Sequence, residues 1–195
     1  MLPLDLTLFQ ALNATPSTPT AVVLVARGVS QWLPVAMAAW LAVCLAIGNP
    51  VQRRAVLTAL AAMALTWVGA QALRHGVQAP RPAQLGLGVQ WIDHAARAGF
   101  PSMHAAGAFA LAAALSWGRM PWVAAVAWAA AATIAWSRVC LGVHFPSDVL
   151  AGALTGVVGA WAAHAAGLAL ARGFSSRGRF SAYWSHPALP WAPRR

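Results

Sequence analysis

The chain has 195 residues, of which 60% are hydrophobic and only 8% are charged. This charged share is far below the roughly 25% that is typical of soluble globular domains. Helices that are apolar all round need a large core to bury them in water, and a chain of this length does not supply one. The composition therefore excludes an ordinary soluble protein and predicts an integral membrane protein with one domain.

The basic residues are thirteen arginines, which give a net charge of +10. A nucleic-acid-binding surface needs basic residues clustered on one solvated face, whereas these arginines are scattered over short connectors and the C-terminal tail. Such scatter is typical of the positive flanks of membrane helices, so no nucleic-acid partner is expected. Cys44 and Cys140 lie far apart and indicate neither a disulfide nor a metal framework.

The N-terminal third of the chain predicts one short helix and two membrane spans. Residues 2–13 favour an amphipathic helix lying on the bilayer, because they are too few to cross about 30 Å of hydrocarbon. Asp5 and the lack of a basic leader argue against a cleavable signal peptide. An apolar stretch interrupted by Arg27 leads into a first span over 31–48, and a second span is predicted over 55–73.

A polar stretch over 74–102 follows and contains no spanning run; loops of this length in compact proteins are usually functional or disordered. The remaining apolar runs predict spans over residues 103–117, 122–136 and 147–171. The predicted fold is an all-α polytopic bundle of about five transmembrane helices plus the short interfacial helix. It forms a single domain over residues 1–171, and a basic tail over 172–195 completes the chain.

The arginines also predict an orientation. Strict alternation of the spans places eight of them on one face, which the positive-inside rule assigns to the cytoplasm together with the C-terminus; these are Arg53, Arg54, Arg119, Arg172, Arg177, Arg179, Arg194 and Arg195. Loop 74–102 and connector 137–147 then lie on the outer face. Two passes of about 15 residues, each about 23 Å long, return the chain from His104 to the same level at Ser137.

Three polar clusters fall on this outer face. They are Arg74 with Arg81-Pro82, then Pro101-Ser102-Met103-His104, and then Arg138 with His144 and Asp148. Guanidinium groups bind phosphate oxygens bidentately and keep their charge at any working pH. Ser102 and the amides around Met103 precede a predicted helix, where free N–H groups favour an anion. These guanidinium, hydroxyl and amide groups together predict a site for a phosphate ester.

The histidines supply the reactive groups of the predicted site. His144 with Asp148 is typical of an imidazole oriented by a carboxylate, acting as a base or a nucleophile. His104 has no acid beside it in sequence and is predicted to donate the proton to the leaving group. The sequence has no cluster of carboxylates typical of a metal cage, so no cofactor is expected. Isolated polar residues such as His94 and Arg97 are interpreted as interfacial anchors.

Together these residues resemble the type 2 phosphatidic acid phosphatase superfamily, which includes vanadium haloperoxidases. Its motifs are K-x-x-x-x-x-x-R-P, P-S-G-H and S-R-x-x-x-x-x-H-x-x-x-D. The third motif matches at every defined position, from Ser137 and Arg138 to Asp148. The other two each depart once, because Arg74 replaces the lysine of the first and Met103 replaces the glycine of the second.

Within the superfamily the chain looks most like the bacitracin-resistance type of undecaprenyl-diphosphatase, from its short N-terminal segment, its Pro80-Arg81-Pro82 sequence and its His94-Ala95-Ala96 stretch. The resemblance implies recycling of the cell-wall lipid carrier at the outer face of a bacterial inner (plasma) membrane, without a metal. It further implies the site roles. His144 forms a phosphohistidine, Asp148 orients it and His104 is the acid, while the phosphate is held by Arg74, Arg81, Ser102, Met103 and Arg138.

Two alternatives remain open on the sequence. The same chemistry serves other lipids, such as phosphatidylglycerol phosphate, phosphatidate or a lipid A 1-phosphate, because headgroup choice depends on pocket shape rather than on the phosphate-binding residues. The second alternative is a non-catalytic membrane protein that binds an anion, although binding alone needs neither a nucleophile nor an acid. A soluble haloperoxidase is excluded by the apolar spans.

Overall fold

The computed structural model describes residues 3–94, 97–118 and 120–175. These residues form six α-helices and one short 3₁₀ turn, Pro82–Leu85. The helices are α1 (Pro3–Leu12), α2 (Thr20–Ile47), α3 (Pro50–Gly76), α4 (Met103–Ser116), α5 (Pro121–Cys140) and α6 (Pro146–Ser175). Arg119, the Ala95-Ala96 pair and the predicted tail beyond residue 175 lie outside the described residues.

The predicted all-α polytopic bundle is confirmed. Four helices, α2, α3, α5 and α6, are long and apolar enough to cross a membrane. The third predicted span, over residues 103–117, corresponds to α4, which has 14 residues and is therefore only about 21 Å long at 1.5 Å per residue. The short N-terminal helix is present as α1, and its residues Leu4, Leu8 and Leu12 form an exposed apolar row.

Helix α4 lies at the centre of the bundle, which explains why it is apolar all round. It packs against α3, α5 and α6, and its buried residues are mostly alanines, from Ala105 to Ala114. A helix surrounded by other helices needs no polar face, and alanine methyls allow neighbouring backbones to approach closely. α4 is thus a short internal helix whose N-terminus lies among the ends of the longer helices.

Glycines of α6 bring that helix into contact with α4 and α3. A Cβ atom at Gly156 would lie 2.4 Å from the carbonyl oxygen of Ala106, and one at Gly152 would lie 2.5 Å from that of Ser102. One at Gly159 would lie 2.1 Å from Thr66 Oγ1. Small residues at helix interfaces are the usual means of close packing in membrane bundles. This packing fixes the beginning of α6 beside the beginning of α4.

Several helix ends lie outside the predicted spans, including the start of α3 at Pro50 and the end of α6 at Ser175, and two of the differences have a local reason. α2 begins at Thr20, because Arg27 is exposed at the helix surface and donates to the carbonyl of Trp91. α5 continues through Ser137 to Cys140, because the Ser137 hydroxyl donates to its own helix at Ile134 O, 2.7 Å away. α3 likewise extends past the predicted end at residue 73, so the polar side chains of these turns project from helix ends rather than from loops.

The predicted meeting of the polar clusters at one end of the bundle is observed. The beginnings of α2, α4 and α6 and the ends of α3 and α5 share this end, here called the site end. Hydrogen bonds tie it together: Arg74 Nη2 donates to Pro101 O at 3.1 Å, and Ser102 N donates to Asp148 O at 2.9 Å. At the opposite end, an Asn49–Gln52 capping box starts α3.

The glycine packing makes a testable prediction about stability. Replacing Gly156 by alanine places a methyl group against backbone atoms of α4, and overpacking of this kind costs about 1–3 kcal/mol. We expect the thermal unfolding midpoint of the protein in detergent micelles to fall. The matched control is Gly167→Ala on the same helix, where nothing lies within 4 Å of the added atom. Alanine favours a helix over glycine by about 1 kcal/mol, so the midpoint of Gly167→Ala should equal or exceed that of the unsubstituted protein. A midpoint of Gly156→Ala that is also equal or higher would contradict the packing.

Candidate active site

His144 lies in the turn over residues 141–145, between α5 and α6, and its side chain is nearly completely buried. Its Nδ1 is 3.3 Å from Asp148 Oδ2, and its Nε2 is 3.3 Å from Arg81 Nη1. A guanidinium only donates hydrogen bonds, so Nε2 must be the acceptor of this pair. The proton of the neutral ring therefore resides on Nδ1 and is donated to Asp148, which leaves a lone pair on Nε2.

Asp148, the third residue of α6, orients this imidazole from a fixed position. Its Oδ2 also accepts from the backbone N–H of Phe145 at 3.0 Å. That contact is half of a capping box, in which a side chain in the first helical turn satisfies the backbone N–H that precedes the helix. The backbone of Ser102 is attached as well, through its N–H to Asp148 O. One residue thus joins α6, the turn 141–145 and the start of α4.

Arg81 is held against Nε2 by its other hydrogen bonds. Nη1 donates to Val143 O at 2.7 Å, and Nε donates to Arg97 O at 2.9 Å. The backbone N–H of Arg81 donates to Gln84 Oε1 in the 3₁₀ turn. Burial, followed by the neighbouring charge of Arg74, lowers the pKa of Arg81, while Asp148 acts in the opposite direction. A guanidinium nevertheless keeps its charge at any working pH.

Several buried donors around this turn have no hydrogen-bond partner among the described residues. They are Ser102 Oγ, Arg74 Nε, Arg138 Nε and Arg138 Nη2. Arg138 is 2% exposed, and its Nη1 donates to the Ser30 hydroxyl. An unsatisfied buried donor costs about 1–3 kcal/mol, and more when it is charged. A cluster of such donors at the N-terminus of α4 fits an anion that accepts from all of them.

Two cavities meet at His104, whose side chain is exposed and lines both of them. The polar cavity has a volume of about 810 Å³ and is lined by Arg27, Ser30, Gln31, Gln90, Trp91, Ile92, Asp93, His94, His104 and Arg138. The apolar cavity, of about 550 Å³, lies between α2, α3 and α4 and includes Arg74 and Arg97 beside its apolar lining. His104 therefore stands at the junction of a polar and an apolar space.

The structure brings all eight predicted site residues to the site end. Asp148 and Arg81 contact His144 directly, whereas Arg138 and His104 line the polar cavity. Arg74 and Met103 line the apolar cavity, so the methionine that replaces the motif glycine lines the apolar space next to Arg74. The remaining member, Ser102, is completely buried at the start of α4.

Sequence reasoning missed four contributions to this site. His94 and Arg97, interpreted as interfacial anchors, lie within it: the His94 ring meets His144 edge to face with centroids 6.2 Å apart, and Arg97 accepts from Arg81. Ser30, which holds Arg138, carries no sequence signal of its own. Asp5, which contacts the start of α6, does carry a sequence signal, because it is one of only three acidic residues in the chain.

The described residues hold no group of three or more His, Cys, Asp or Glu side chains that could bind a metal ion. The fixed positive charges at the site end are carried by arginines. The guanidinium groups of Arg74, Arg81 and Arg138 can donate to an anion bound at this end of the bundle and stabilise its negative charge.

The environment of His144 keeps its ring neutral. Burial, and then the charges of Arg81 and Arg138, lower the pKa of His144 well below its usual value of 6.5. Both effects disfavour the imidazolium, the first by removing water and the second by repulsion. Nε2 therefore retains its lone pair throughout the physiological pH range.

The chain is similar to known proteins in sequence and in fold. A sequence profile of the PAP2 superfamily matches residues 55–171. The crystal structure of LpxE from Aquifex aeolicus superposes with a TM-score of 0.67 at 28% sequence identity, covering 83% of this chain and 95% of that one. A transmembrane PAP2-type phosphatidylglycerolphosphate phosphatase from Bacillus subtilis gives a TM-score of 0.58 at 17% identity, over 91% and 87% of the chains, and shows the shared fold. No curated protein matches the chain significantly.

The charge arrangement predicts how His144 titrates. An ordinary histidine is half protonated near pH 6.5, whereas we expect His144 to remain neutral there and to gain its proton only at lower pH. Arg81→Met removes the nearest cation, so the pKa of His144 should rise. The measurement is NMR of histidine-labelled protein in micelles, titrated with pH.

The matched control is Arg27→Gln, which removes a cation from the rim of the polar cavity without touching His144. This variant should titrate like the unsubstituted protein. A His144 pKa near 6.5 in the unsubstituted protein, or one that is unchanged in Arg81→Met, would show that the described contacts do not set its ionisation.

Proposed function

The chain belongs to the PAP2 superfamily, and on that premise we propose that it hydrolyses a membrane lipid diphosphate through a phosphohistidine, with undecaprenyl diphosphate as the leading substrate. The family assignment and the membrane-spanning helices make it a multi-pass lipid phosphatase. The identity of the lipid and the roles of single residues are the steps proposed here.

One observation carries the catalytic proposal: Nε2 of His144 accepts from Arg81 Nη1 while its Nδ1–H is held by Asp148. A neutral imidazole with a fixed tautomer is prepared to attack through Nε2, because the lone pair becomes available when a phosphoryl oxygen takes over the hydrogen bond from Arg81. The donors without partners on Ser102 and Arg138 are suited to the oxygens of the group attacked.

The first step forms the phosphohistidine. The Nε2 lone pair of His144 bonds to phosphorus, and the bond from phosphorus to the leaving oxygen breaks with its electron pair on that oxygen. His104 gives a proton to the leaving oxygen, and the negative charge of the phosphate beside it favours the protonated form that this step needs. Asp148 stabilises the positive charge that arises on the His144 ring.

The second step releases inorganic phosphate. A water molecule gives a proton to His104 and its oxygen bonds to phosphorus, while the bond between phosphorus and Nε2 breaks with its electron pair on nitrogen. Arg81, which donates to Nε2 in the resting site, is near enough to donate to a phosphoryl oxygen during both steps. Hydrogen bonds that strengthen as charge develops lower the barrier.

The two cavities support a lipid substrate. The apolar cavity runs from His104 along Gly107 and Leu111 of α4 toward Pro34 and Met37 of α2, and suits an isoprenoid chain. The polar cavity, on the other side of His104, suits the charged part of the molecule. A phosphoryl group at their junction would lie beside the proposed acid.

A second candidate is a lipid phosphate with a larger headgroup, such as phosphatidylglycerol phosphate or a lipid A 1-phosphate. The observation that favours it is the size and chemistry of the polar cavity, about 810 Å³ with Gln31, Gln90 and Asp93 in its lining. Amides and a carboxylate suit neutral hydroxyl groups better than additional phosphates. The two candidates share the same reaction.

The proposed location is a bacterial inner membrane with the site facing the periplasm or the exterior. The arginines at the site end, such as Arg74, Arg81 and Arg138, are engaged in the site itself. Arg53 and Arg54 lie at the opposite end of the bundle and are exposed. The positive-inside rule then assigns that end, and the basic tail over 172–195 that follows the single phosphatase domain over 1–171, to the cytoplasm.

Removal of the nucleophile should abolish the reaction. We expect His144→Ala to release no inorganic phosphate from undecaprenyl diphosphate above background, because the substitution removes the imidazole that Asp148 orients. His104→Ala should lose about 10²–10⁴-fold in kcat, the usual contribution of an acid–base group. The control is His75→Ala, which removes an exposed histidine at the end of α3.

The same assay decides between the substrate candidates. Purified protein in one detergent is given undecaprenyl diphosphate, phosphatidylglycerol phosphate, phosphatidate and a lipid A 1-phosphate, and kcat/KM is compared. The highest value for undecaprenyl diphosphate supports the leading candidate, and the highest value for a bulky headgroup supports the second. Undiminished turnover in His144→Ala would refute the nucleophile on every substrate.

The apolar cavity makes a prediction about chain length. Gly107→Leu places an apolar side chain in the cavity, and the site tolerates a Cβ because its nearest neighbour would be Met63 Cε at 3.9 Å. We expect kcat/KM for long-chain lipid phosphates to fall at least about tenfold, while that for a short-chain, water-soluble phosphate ester stays within about twofold. Gly107→Ala is the matched control. Equal losses on both kinds of substrate would show that the chain binds elsewhere.

A further inference from the structure

Helix α1 contacts both ends of the turn that carries His144, although it lies outside the membrane-spanning core. Its residues Asp5, Phe9 and Asn13 recur every four positions and so lie on one face of the helix and its C-terminal end. All three are buried, with 8%, 0% and 7% of their surfaces exposed. This face is directed at the protein, whereas the leucine row of α1 is exposed.

Asp5 binds the beginning of α6 with both carboxylate oxygens. Oδ1 accepts from the backbone N–H of Ser147 at 2.9 Å, and Oδ2 accepts from the Ser147 hydroxyl at 2.6 Å. Pro146, the first residue of α6, has no N–H, so Ser147 carries the first free backbone donor of this helix. A carboxylate at a helix N-terminus also interacts favourably with the helix dipole.

The rest of the α1 face secures the other parts of the same turn. The Phe9 ring packs edge to face on Phe145, with centroids 5.2 Å apart. Asn13 Nδ2 donates to Cys140 O at 3.1 Å, and Ala14 N donates to the same oxygen at 2.9 Å. Both flanks of His144, at Cys140 and at Phe145 with Ser147, are therefore attached to one short helix.

We infer that Asp5 is a positioning residue for His144, acting through Ser147, and that α1 as a whole fixes the turn 141–145 in the geometry the reaction needs. The inference rests on the proposed nucleophilic role of His144. Ser147 lies next to Asp148, whose Oδ2 holds the His144 ring, so a shift of the first turn of α6 moves the orienting carboxylate and the imidazole together. Attack requires the lone pair of Nε2 to be aligned with phosphorus, and small displacements of a reacting group have large effects on rate.

This role separates turnover from binding. The proposed phosphate donors lie on the side chains of Ser102, Arg74, Arg81 and Arg138, and none of these side chains forms a hydrogen bond with α1. Loss of Asp5 should therefore lower kcat while leaving the affinity for phosphate in place. A merely structural contribution would reduce both quantities together.

The test compares Asp5→Ala with the unsubstituted protein on the best substrate of the panel. We expect kcat to fall about 10–100-fold, with KM and the inhibition constant of inorganic phosphate changed by less than about threefold. Asp5→Asn keeps one acceptor for the Ser147 N–H at nearly the same volume, so it should fold like the unsubstituted protein and lose less activity. Ser147→Ala, combined with Asp5→Ala, should add little to the loss in Asp5→Ala alone, because the two residues act through one contact.

The control is Gln10→Ala, which changes an exposed residue of α1, and His144→Ala is measured beside it. Turnover of Asp5→Ala within about twofold of the unsubstituted protein, with His144→Ala inactive, overturns the positioning role and leaves the proposed reaction standing. A parallel loss of kcat and phosphate affinity in both Asp5 variants also overturns it. Undiminished turnover in His144→Ala overturns the proposed reaction and, with it, the role of Asp5.

Discussion

A single carboxylate oxygen connects the helical frame of this protein with its proposed chemistry. Asp148 Oδ2 accepts from the backbone N–H of Phe145, as a capping residue does, and from Nδ1 of His144. The geometry that begins α6 is therefore the geometry that orients the imidazole. Because the tautomer of His144 follows from these contacts and from Arg81 on the other side, the lone pair of Nε2 is a consequence of how one helix starts.

The apolar part of the bundle determines where this helix starts. α4 is surrounded by α3, α5 and α6, and glycines of α6 allow its backbone to contact that of α4. Side-chain atoms at Gly152 or Gly156 would push α6 away from α4. They would thereby separate Asp148 O from the backbone N–H of Ser102, which donates to it at 2.9 Å. Polar groups have few partners inside a membrane, so ionisable residues there concentrate at functional sites. In this chain they concentrate at the end where five helix termini meet.

The sequence predicts this arrangement as far as local spacing and topology determine it. His144 and Asp148 are four residues apart at the start of a helix, and alternating spans return Arg81, Ser102 and Arg138 to the same face. Contacts that depend on three-dimensional packing were not predictable: the Ser30 hydroxyl that holds Arg138, and the Arg97 carbonyl that holds Arg81. Helix ends were misplaced because an apolar run stops at its first polar residue, whereas Ser137 donates to a carbonyl of its own helix and Arg74 donates to Pro101 O of the neighbouring segment, so both residues remain helical. The apolar residues of α1 predicted contact with the bilayer. The contact of its opposite face with the site had only one signal in the sequence, which is that Asp5 is one of three acidic residues in the chain.

The rarity of acidic residues has a physical consequence for the site. The chain has three acidic residues, and the structure places all of them at the site end: Asp5 on Ser147, Asp148 on His144, and Asp93 in the lining of the polar cavity. Among the described residues no carboxylate forms an ion pair with the guanidinium groups of Arg74, Arg81 or Arg138, and the ion pair of the site joins Asp148 to His144. An acid paired with these arginines would compete with the proposed phosphate for the same donors, and a buried pair would have to be broken at a cost of several kcal/mol. Because the three carboxylates lie elsewhere, the guanidinium groups of these arginines stay available for the anion that we propose the site binds.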